Sequence, residues 1–71
     1  MKEKITVAIE TDYIKLDSLL KFAGLTATGS EAKEAVKNGL IKVNGATCLE
    51  RGKKIRRGDS VLFDGVSVSV E

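Results

Sequence analysis

Two dipeptides in the second half of the chain constrain its fold more than any other feature. Asn44-Gly45 and Asp64-Gly65 are the residue pairs that two-residue hairpin turns prefer, because both turn positions need a positive φ. Apolar and polar residues alternate on either side of each pair, in "LIKV" before the first and in "SVLF" and "VSVSV" around the second. The second half is therefore predicted to be mostly antiparallel β-structure.

The first half begins with one strand and continues with a helix. Ile5, Val7 and Ile9 alternate with polar residues, which predicts a strand over 4–10. In "KLDSLLKFAG" the apolar residues fall at helical spacing, and Gly24 is placed to end the helix in the left-handed conformation. The residues of this apolar stripe are Leu16, Leu19, Leu20 and Ala23.

A second helix is predicted to begin at Thr28, whose hydroxyl can cap it in a Thr-x-x-Glu capping box with Glu31. Its buried stripe is Ala32, Ala35 and Val36, and Gly39 ends it. The order strand, helix, helix, strands predicts an α+β fold in which two helices pack against a small, mostly antiparallel sheet. At 71 residues the chain is expected to be one domain, 1–71, whose first and last strands pair.

The residue types present argue against enzyme, metal and membrane functions. The chain has no histidine and one cysteine, Cys48, so a zinc-ligand cluster, an internal disulfide and a Cys/His or Ser/His/Asp catalytic set are not expected. No glycine-rich phosphate loop precedes a helix, and no cofactor or small-molecule substrate is indicated. No apolar run approaches the roughly 20 residues that span a bilayer. These features predict a non-enzymatic protein of the reducing cytoplasm.

Positive charge is concentrated in the middle of the chain. Residues 33–57 hold eight basic and two acidic residues, whereas residues 1–32 sum to −1 and residues 58–71 to −3. The basic residues are Lys33 and Lys37 on the second helix, Lys42 on the next strand, and Arg51, Lys53, Lys54, Arg56 and Arg57 in "RGKKIRRGD". Ile55 is predicted to anchor that loop in the core, and Asp59 to cap its exit. Such asymmetry indicates a polyanionic partner. Two alternatives are that the basic residues only face solvent and, more weakly, that they contact a membrane surface.

Three motifs in order resemble the S-four (S4) RNA-binding domain, named for the small-subunit ribosomal protein. Lys15-Leu16-Asp17 stands at the motif that opens the first helix of that family, and the segments around residues 39–45 and 58–61 match its Gly-x-Val-x-Val-Asn-Gly and Gly-Asp-x-Val elements. The resemblance covers about residues 14–63 and is nearest to small stand-alone bacterial proteins. It implies an αL-type RNA-binding fold. One departure is Glu31, which stands where many members carry an arginine; Lys33, two residues along, is the candidate to take over that contact.

The resemblance implies a helix-and-loop surface that binds structured RNA, in ribosomal RNA, tRNA or modification-enzyme contexts, with association with the ribosome as one possibility. The residues at matching positions are Lys15, Ser30, Lys33, Lys37, Lys42, Asn44, Arg51, Lys53, Lys54, Arg56 and Arg57. Two alternatives stay open from the sequence: an adaptor that docks an acidic protein partner through the same basic surface, and a duplex DNA binder.

Overall fold

The structure is a computed structural model that describes residues 3–71. Its elements, in chain order, are β1 (Glu3–Val7), β2 (Ile14–Lys15), α1 (Leu16–Phe22), α2 (Gly29–Lys37), β3 (Ile41–Val43), β4 (Ala46–Thr47), β5 (Lys54–Ile55), β6 (Ser60–Phe63) and β7 (Val66–Val70). Apolar side chains from both helices and from the sheet form one core. The α+β fold predicted from the sequence is confirmed.

The larger sheet has five strands in the order β1-β7-β6-β3-β4, and every pairing except β1 with β7 is antiparallel. Both predicted hairpins are present, and all four turn residues have positive φ. The values are 52° and 87° for Asn44 and Gly45, and 51° and 78° for Asp64 and Gly65. These short-range turns fix the register of the sheet, with Val61 opposite both Val43 and Val68.

The first and last strands pair, as the sequence suggested, and they do so in parallel. Their register places Val7 beside Val70. Strand β1 ends at Val7 instead of continuing to Glu10, yet the pairing extends further: Ile9 N donates to Glu71 O at 2.9 Å, and Glu71 N donates to Val7 O at 2.8 Å. The two ends of the described chain are therefore joined through the sheet.

Both helices begin and end where the sequence indicated, to within a residue. In α1, Leu16, Leu19 and Leu20 have no exposed surface. Gly24 follows this helix with φ 78°, a conformation that costs glycine little. In α2 the Thr28 hydroxyl accepts a hydrogen bond from Glu31 N at 3.2 Å, which is the capping contact predicted for this position. The short helices thus place compact apolar faces on the sheet. No helix among residues 3–71 is both long and apolar enough to cross a membrane.

A second, two-stranded sheet was not foreseen. Strands β2 and β5 pair antiparallel, with Ile14 opposite Ile55 and Lys15 opposite Lys54. Ile55 has no exposed surface, so its predicted role as the anchor of the basic loop is confirmed. Because side chains alternate across a strand, the buried Ile55 and the half-buried Ile14 face the core and leave the lysine pair on the solvent side. This small ladder positions the candidate site.

Candidate nucleic-acid interface

The basic loop, residues 51–59, is fixed against the start of α1 by its backbone. The first N–H groups of a helix have no partner within the helix. The N-cap residue of α1, Lys15, makes no side-chain hydrogen bond to these N–H groups. Instead, Leu16 N donates to Lys53 O at 2.9 Å and Asp17 N donates to Arg51 O at 3.0 Å. The loop therefore takes the place of a side-chain cap, and the same bonds hold the loop to the helix.

A second set of hydrogen bonds closes the far end of the loop around Asp59. Its carboxylate accepts from Arg56 N at 2.8 Å and from Asn44 Nδ2 at 3.2 Å, and Asn44 Oδ1 accepts from Ser60 N at 2.9 Å. The bond from the Arg56 backbone and then that from Asn44 lower the pKa of Asp59; desolvation opposes them, and the charges of Lys53 and Arg56 add to the lowering. Asp59 is therefore an ionised acceptor that closes the loop, as the sequence predicted.

The paired lysines of the β2–β5 ladder are the most unusual electrostatic feature of this region. Lys15 and Lys54 face one another directly across two antiparallel strands. Like charges in this position destabilise a sheet. Lys54 also lies over the ring of Tyr13, with its Nζ 5.0 Å from the ring centroid, which is within cation–π range. The backbone pairing of β2 and β5 thus holds two like-charged residues opposite one another.

An open depression of about 530 Å³ adjoins this ladder. Lys53, Lys54 and Arg56 contribute cationic side chains to its lining, and Asn44 and Asp59 form another part of its wall. We call Lys15, Arg51, Lys53, Lys54 and Arg56 the basic platform, because all five are exposed and lie on β2 or in the basic loop, which contains β5. The arrangement can bind phosphate groups, with arginine adding two-point geometry.

Arg57, the last cation of the loop, makes a different contact. Its guanidinium Nη2 donates to Ile9 O at 2.6 Å, and the neighbouring Gly58 N donates to Val70 O at 2.8 Å. These bonds tie the end of the loop to the segment after β1 and to β7. A guanidinium has five N–H donors, so Arg57 can serve this structural role and still carry its charge to the surface.

Lys42 lies on another face of the molecule. Its neighbours in β3, Ile41 and Val43, are buried against the helices, so Lys42 projects from the opposite side of the sheet. There it borders a shallow depression with Lys4 and Ser67. The structure therefore does not bring Lys42 together with the helix lysines on one surface, although both remain predicted RNA contacts.

Comparison with known proteins gives the family. The family model described as the S4 domain matches residues 7–71. This chain belongs to the S4 domain family. The Escherichia coli protein YbcJ, described as a candidate RNA-binding protein, is 40% identical over 58 residues, which is 82% of this chain and 83% of YbcJ.

The solved structure of a relative agrees with the fold of this S4 domain. The solution structure of YbcJ superimposes with a TM-score of 0.74 at 35% identity, covering 99% of this chain and 90% of YbcJ. That structure is described as revealing an ALFAL motif involved in RNA binding. Tyrosine–tRNA ligase 2 of Pseudoalteromonas translucida is 38% identical over 61 residues, which is 84% of this chain and 15% of the enzyme. The resemblance noted in the sequence is thereby confirmed.

The polar residues of helix α2 lie on two different sides of the helix. Ser30, Glu31 and Glu34 border an apolar groove beside Phe63, whereas Lys33 and Lys37 are exposed outside that lining. Two residues along an α-helix correspond to a rotation of about 200°. Lys33 therefore projects from a different side of α2 than Glu31, and its role as a replacement contact stays a prediction.

Tyr13 and strand β2 are the parts of the candidate interface that sequence reasoning missed. A two-residue strand leaves no periodic signal, and the contact between Tyr13 and Lys54 joins residues 41 positions apart. The alternation Tyr13-Ile14-Lys15 was the one available hint, since it places the aromatic ring and the ammonium group on the same side of a strand. Cys48 is half-buried and its thiol donates to Glu50 O at 3.5 Å, which gives it a local structural contact.

Proposed function

We propose that this S4 domain is a non-enzymatic module that binds structured RNA through the basic platform. The observation that carries the proposal is the direct opposition of Lys15 and Lys54 on a two-stranded ladder. Their repulsion destabilises the ladder in the free protein, and an RNA phosphate placed between the two ammonium groups would relieve it. Lys53 and Arg56 extend the same positive surface into the adjoining depression.

The rigidity of the platform favours folded RNA over flexible single strands. The loop backbone is held by α1, by Asp59 and by buried Ile55, which fixes the Cα positions from which its cationic side chains extend. A-form RNA presents phosphates and 2′-hydroxyls at regular spacings, while its base edges are hard to reach. Single-strand binders instead stack bases on aromatic rings. Here the one ring at the platform, Tyr13, already contacts Lys54.

Structured regions of tRNA or ribosomal RNA are the ligands that we propose, with a cytoplasmic and ribosome-associated role as the wider setting. Similarity to a tyrosine–tRNA ligase over 15% of that enzyme supports a tRNA-like ligand, and similarity to YbcJ supports RNA in general. Recognition would rest on phosphates and shape, so sequence specificity is expected to be low.

Fluorescence anisotropy with three labelled ligands tests this function. An RNA hairpin, a single-stranded RNA and a DNA duplex of equal charge are compared at several salt concentrations, with the hairpin expected to bind most tightly. The double variant Lys53→Gln/Arg56→Gln should weaken hairpin binding by about 15-fold to 30-fold near 0.15 M salt, given about 0.7–0.9 counterions released per phosphate contact.

The matched control is Lys4→Gln/Lys21→Gln, which removes the same net charge from exposed positions outside the platform. It should change hairpin affinity far less. Equal losses in the two double variants would show that net charge alone governs binding, and equal affinity for all three ligands would contradict recognition of structured RNA.

A further inference from the structure

An apolar groove runs beside α2, away from the basic platform. Leu25, Ala35, Leu40 and Phe63 supply its apolar lining, and its volume is about 410 Å³. Leu40 is 55% exposed, which is high for a leucine next to the core. We call this surface the α2 groove. Together with the half-buried Leu25 and Phe63, exposed Leu40 forms an apolar patch of the kind found at interaction sites.

The charged residues of the α2 groove are all acidic. Glu31 and Glu34 stand on its rim with Ser30 and Asn38, and its lining contains no lysine or arginine. This is notable in a chain whose net charge is +2 and whose basic residues outnumber its acidic ones. Two carboxylates at the rim repel RNA phosphates, so the groove is unsuited to the ligand of the basic platform.

Thr26 adds a polar group at the base of the groove. It belongs to the lining, only 6% of its surface is exposed, and its hydroxyl has no hydrogen-bond partner among residues 3–71. Buried hydroxyl groups are nearly always paired, because an unpaired one loses its hydration without compensation. The hydroxyl itself is covered, so an occupant would reach it only if the lining of the groove moved.

We propose that the α2 groove binds a basic segment of a protein partner, with an apolar side chain of that segment inserted against Leu40 and Phe63. Lysine or arginine residues flanking the inserted side chain would pair with Glu31 and Glu34. The charge of the rim selects this occupant over RNA and over an acidic peptide. With RNA on the basic platform and a basic protein segment in the groove, the domain would hold both at once.

Titration of the isotopically labelled, full-length chain with synthetic peptides, followed by NMR, tests this proposal. The peptides form a set of nine-residue sequences, each with one or two Leu, Phe or Met residues between lysines or arginines. A matched set has glutamate in place of every cation. Basic peptides are expected to shift the amide signals of Thr26, Glu34, Leu40 and Phe63 in a saturable manner, and acidic peptides are expected to leave them unchanged.

The variant Glu31→Gln/Glu34→Gln should weaken binding of the basic peptides by about threefold to tenfold, as expected for two exposed ion pairs. The control Glu3→Gln/Glu10→Gln removes two exposed carboxylates elsewhere and should leave the affinity unchanged. A second variant, Leu40→Ala, truncates an exposed side chain and should weaken the same peptides without unfolding the domain.

Three results would overturn the proposal: no basic peptide binds, both peptide sets bind equally well, or the shifts fall on the basic platform. Self-association in sedimentation experiments that is lost in Glu31→Gln/Glu34→Gln would also overturn it, since the occupant would then be a second copy. The peptide titration needs no RNA, so its failure is distinct from failure of the proposed RNA-binding function.

Discussion

Replacing Lys15 by glutamine should make the domain more stable while weakening its binding to RNA. Lys15 faces Lys54 directly across the β2–β5 ladder, and it is also the N-cap residue of α1. Both positions disfavour a positive charge, the first through like-charge repulsion and the second through the helix dipole. The substitution keeps a side chain of similar length, and no side-chain cap is lost, because Lys15 makes none.

The expected gain in stability is small but measurable. Like-charge repulsion and the helix-dipole effect at an exposed site together lower the free energy of unfolding by about 0.5 kcal/mol, which the substitution restores. For a domain of this size, that corresponds to a rise in melting temperature of roughly 2–4 °C. Thermal unfolding followed by circular dichroism resolves this difference.

The expected loss of RNA affinity follows from counterion release. One phosphate contact fewer lowers the slope of log K against log salt by about 0.7–0.9, which near 0.15 M salt is a roughly fourfold to sixfold weaker affinity. Anisotropy titrations of a labelled RNA hairpin at four or more salt concentrations give both values. A salt series is needed because the affinity at one concentration does not separate a lost contact from a change in loop structure.

The matched control is Lys21→Gln, since Lys21 is an exposed lysine in the last turn of the same helix. There a positive charge favours the helix, so this variant should be slightly less stable and should bind RNA almost as tightly as the unmodified protein. A Lys15→Gln variant that is more stable but has unchanged RNA affinity would refute the assignment of Lys15 to the interface. A less stable variant would refute the repulsion between Lys15 and Lys54.

Three further predictions concern how the basic loop is held. Asp59→Ala should lower the free energy of unfolding at pH 7 by about 1–2 kcal/mol, since two accepted hydrogen bonds are lost. The lowered pKa of Asp59 means that this contribution is complete above pH 4 or so and is lost as the pH falls through that lowered pKa. Urea unfolding should therefore show that the unmodified protein and Asp59→Ala differ in free energy of unfolding at pH 7 and differ less at roughly pH 2–3. An equal difference at both pH values would contradict an ionic role for Asp59. Ile55→Ala should cost about 2–5 kcal/mol and Ile55→Val about 0.5–1.5 kcal/mol, because the side chain is fully buried; equal melting temperatures for all three proteins would argue against an anchor. Asn44→Asp should lower the melting temperature and raise the pKa of Asp59 in an NMR titration, because it replaces the Nδ2 donor by a second carboxylate; an unchanged pKa would show that the contact is not formed in solution.

Features set by short-range interactions were predictable from the sequence. The turns at Asn44-Gly45 and Asp64-Gly65 depend on the φ preferences of the turn residues themselves, and the Thr28 cap depends on a contact three residues away. The burial of Ile55 followed from its being the one apolar residue in a charged loop. Each of these conclusions needs only local chemistry.

Features that depend on long-range contacts were not predictable. Strand β2 exists because its two residues meet β5, some 40 positions away. Alternation correctly placed Lys42 outside the core, but it could not show that this side of the sheet lies opposite the helices. The basic loop was recognisable by composition, whereas its contacts with α1, Asn44 and Ile9 are tertiary. The sequence could therefore indicate an RNA-binding protein but not the arrangement of its cations.

The most direct test of the central claim is a map of backbone amide shifts during titration of the labelled domain with an RNA hairpin. If the basic platform is the interface, the largest changes will fall on Lys15, on residues 51–57 and at the start of α1, while Leu40 and Phe63 change little. Changes concentrated on the outer face of the sheet or in the α2 groove, with the platform unaffected, would contradict the account.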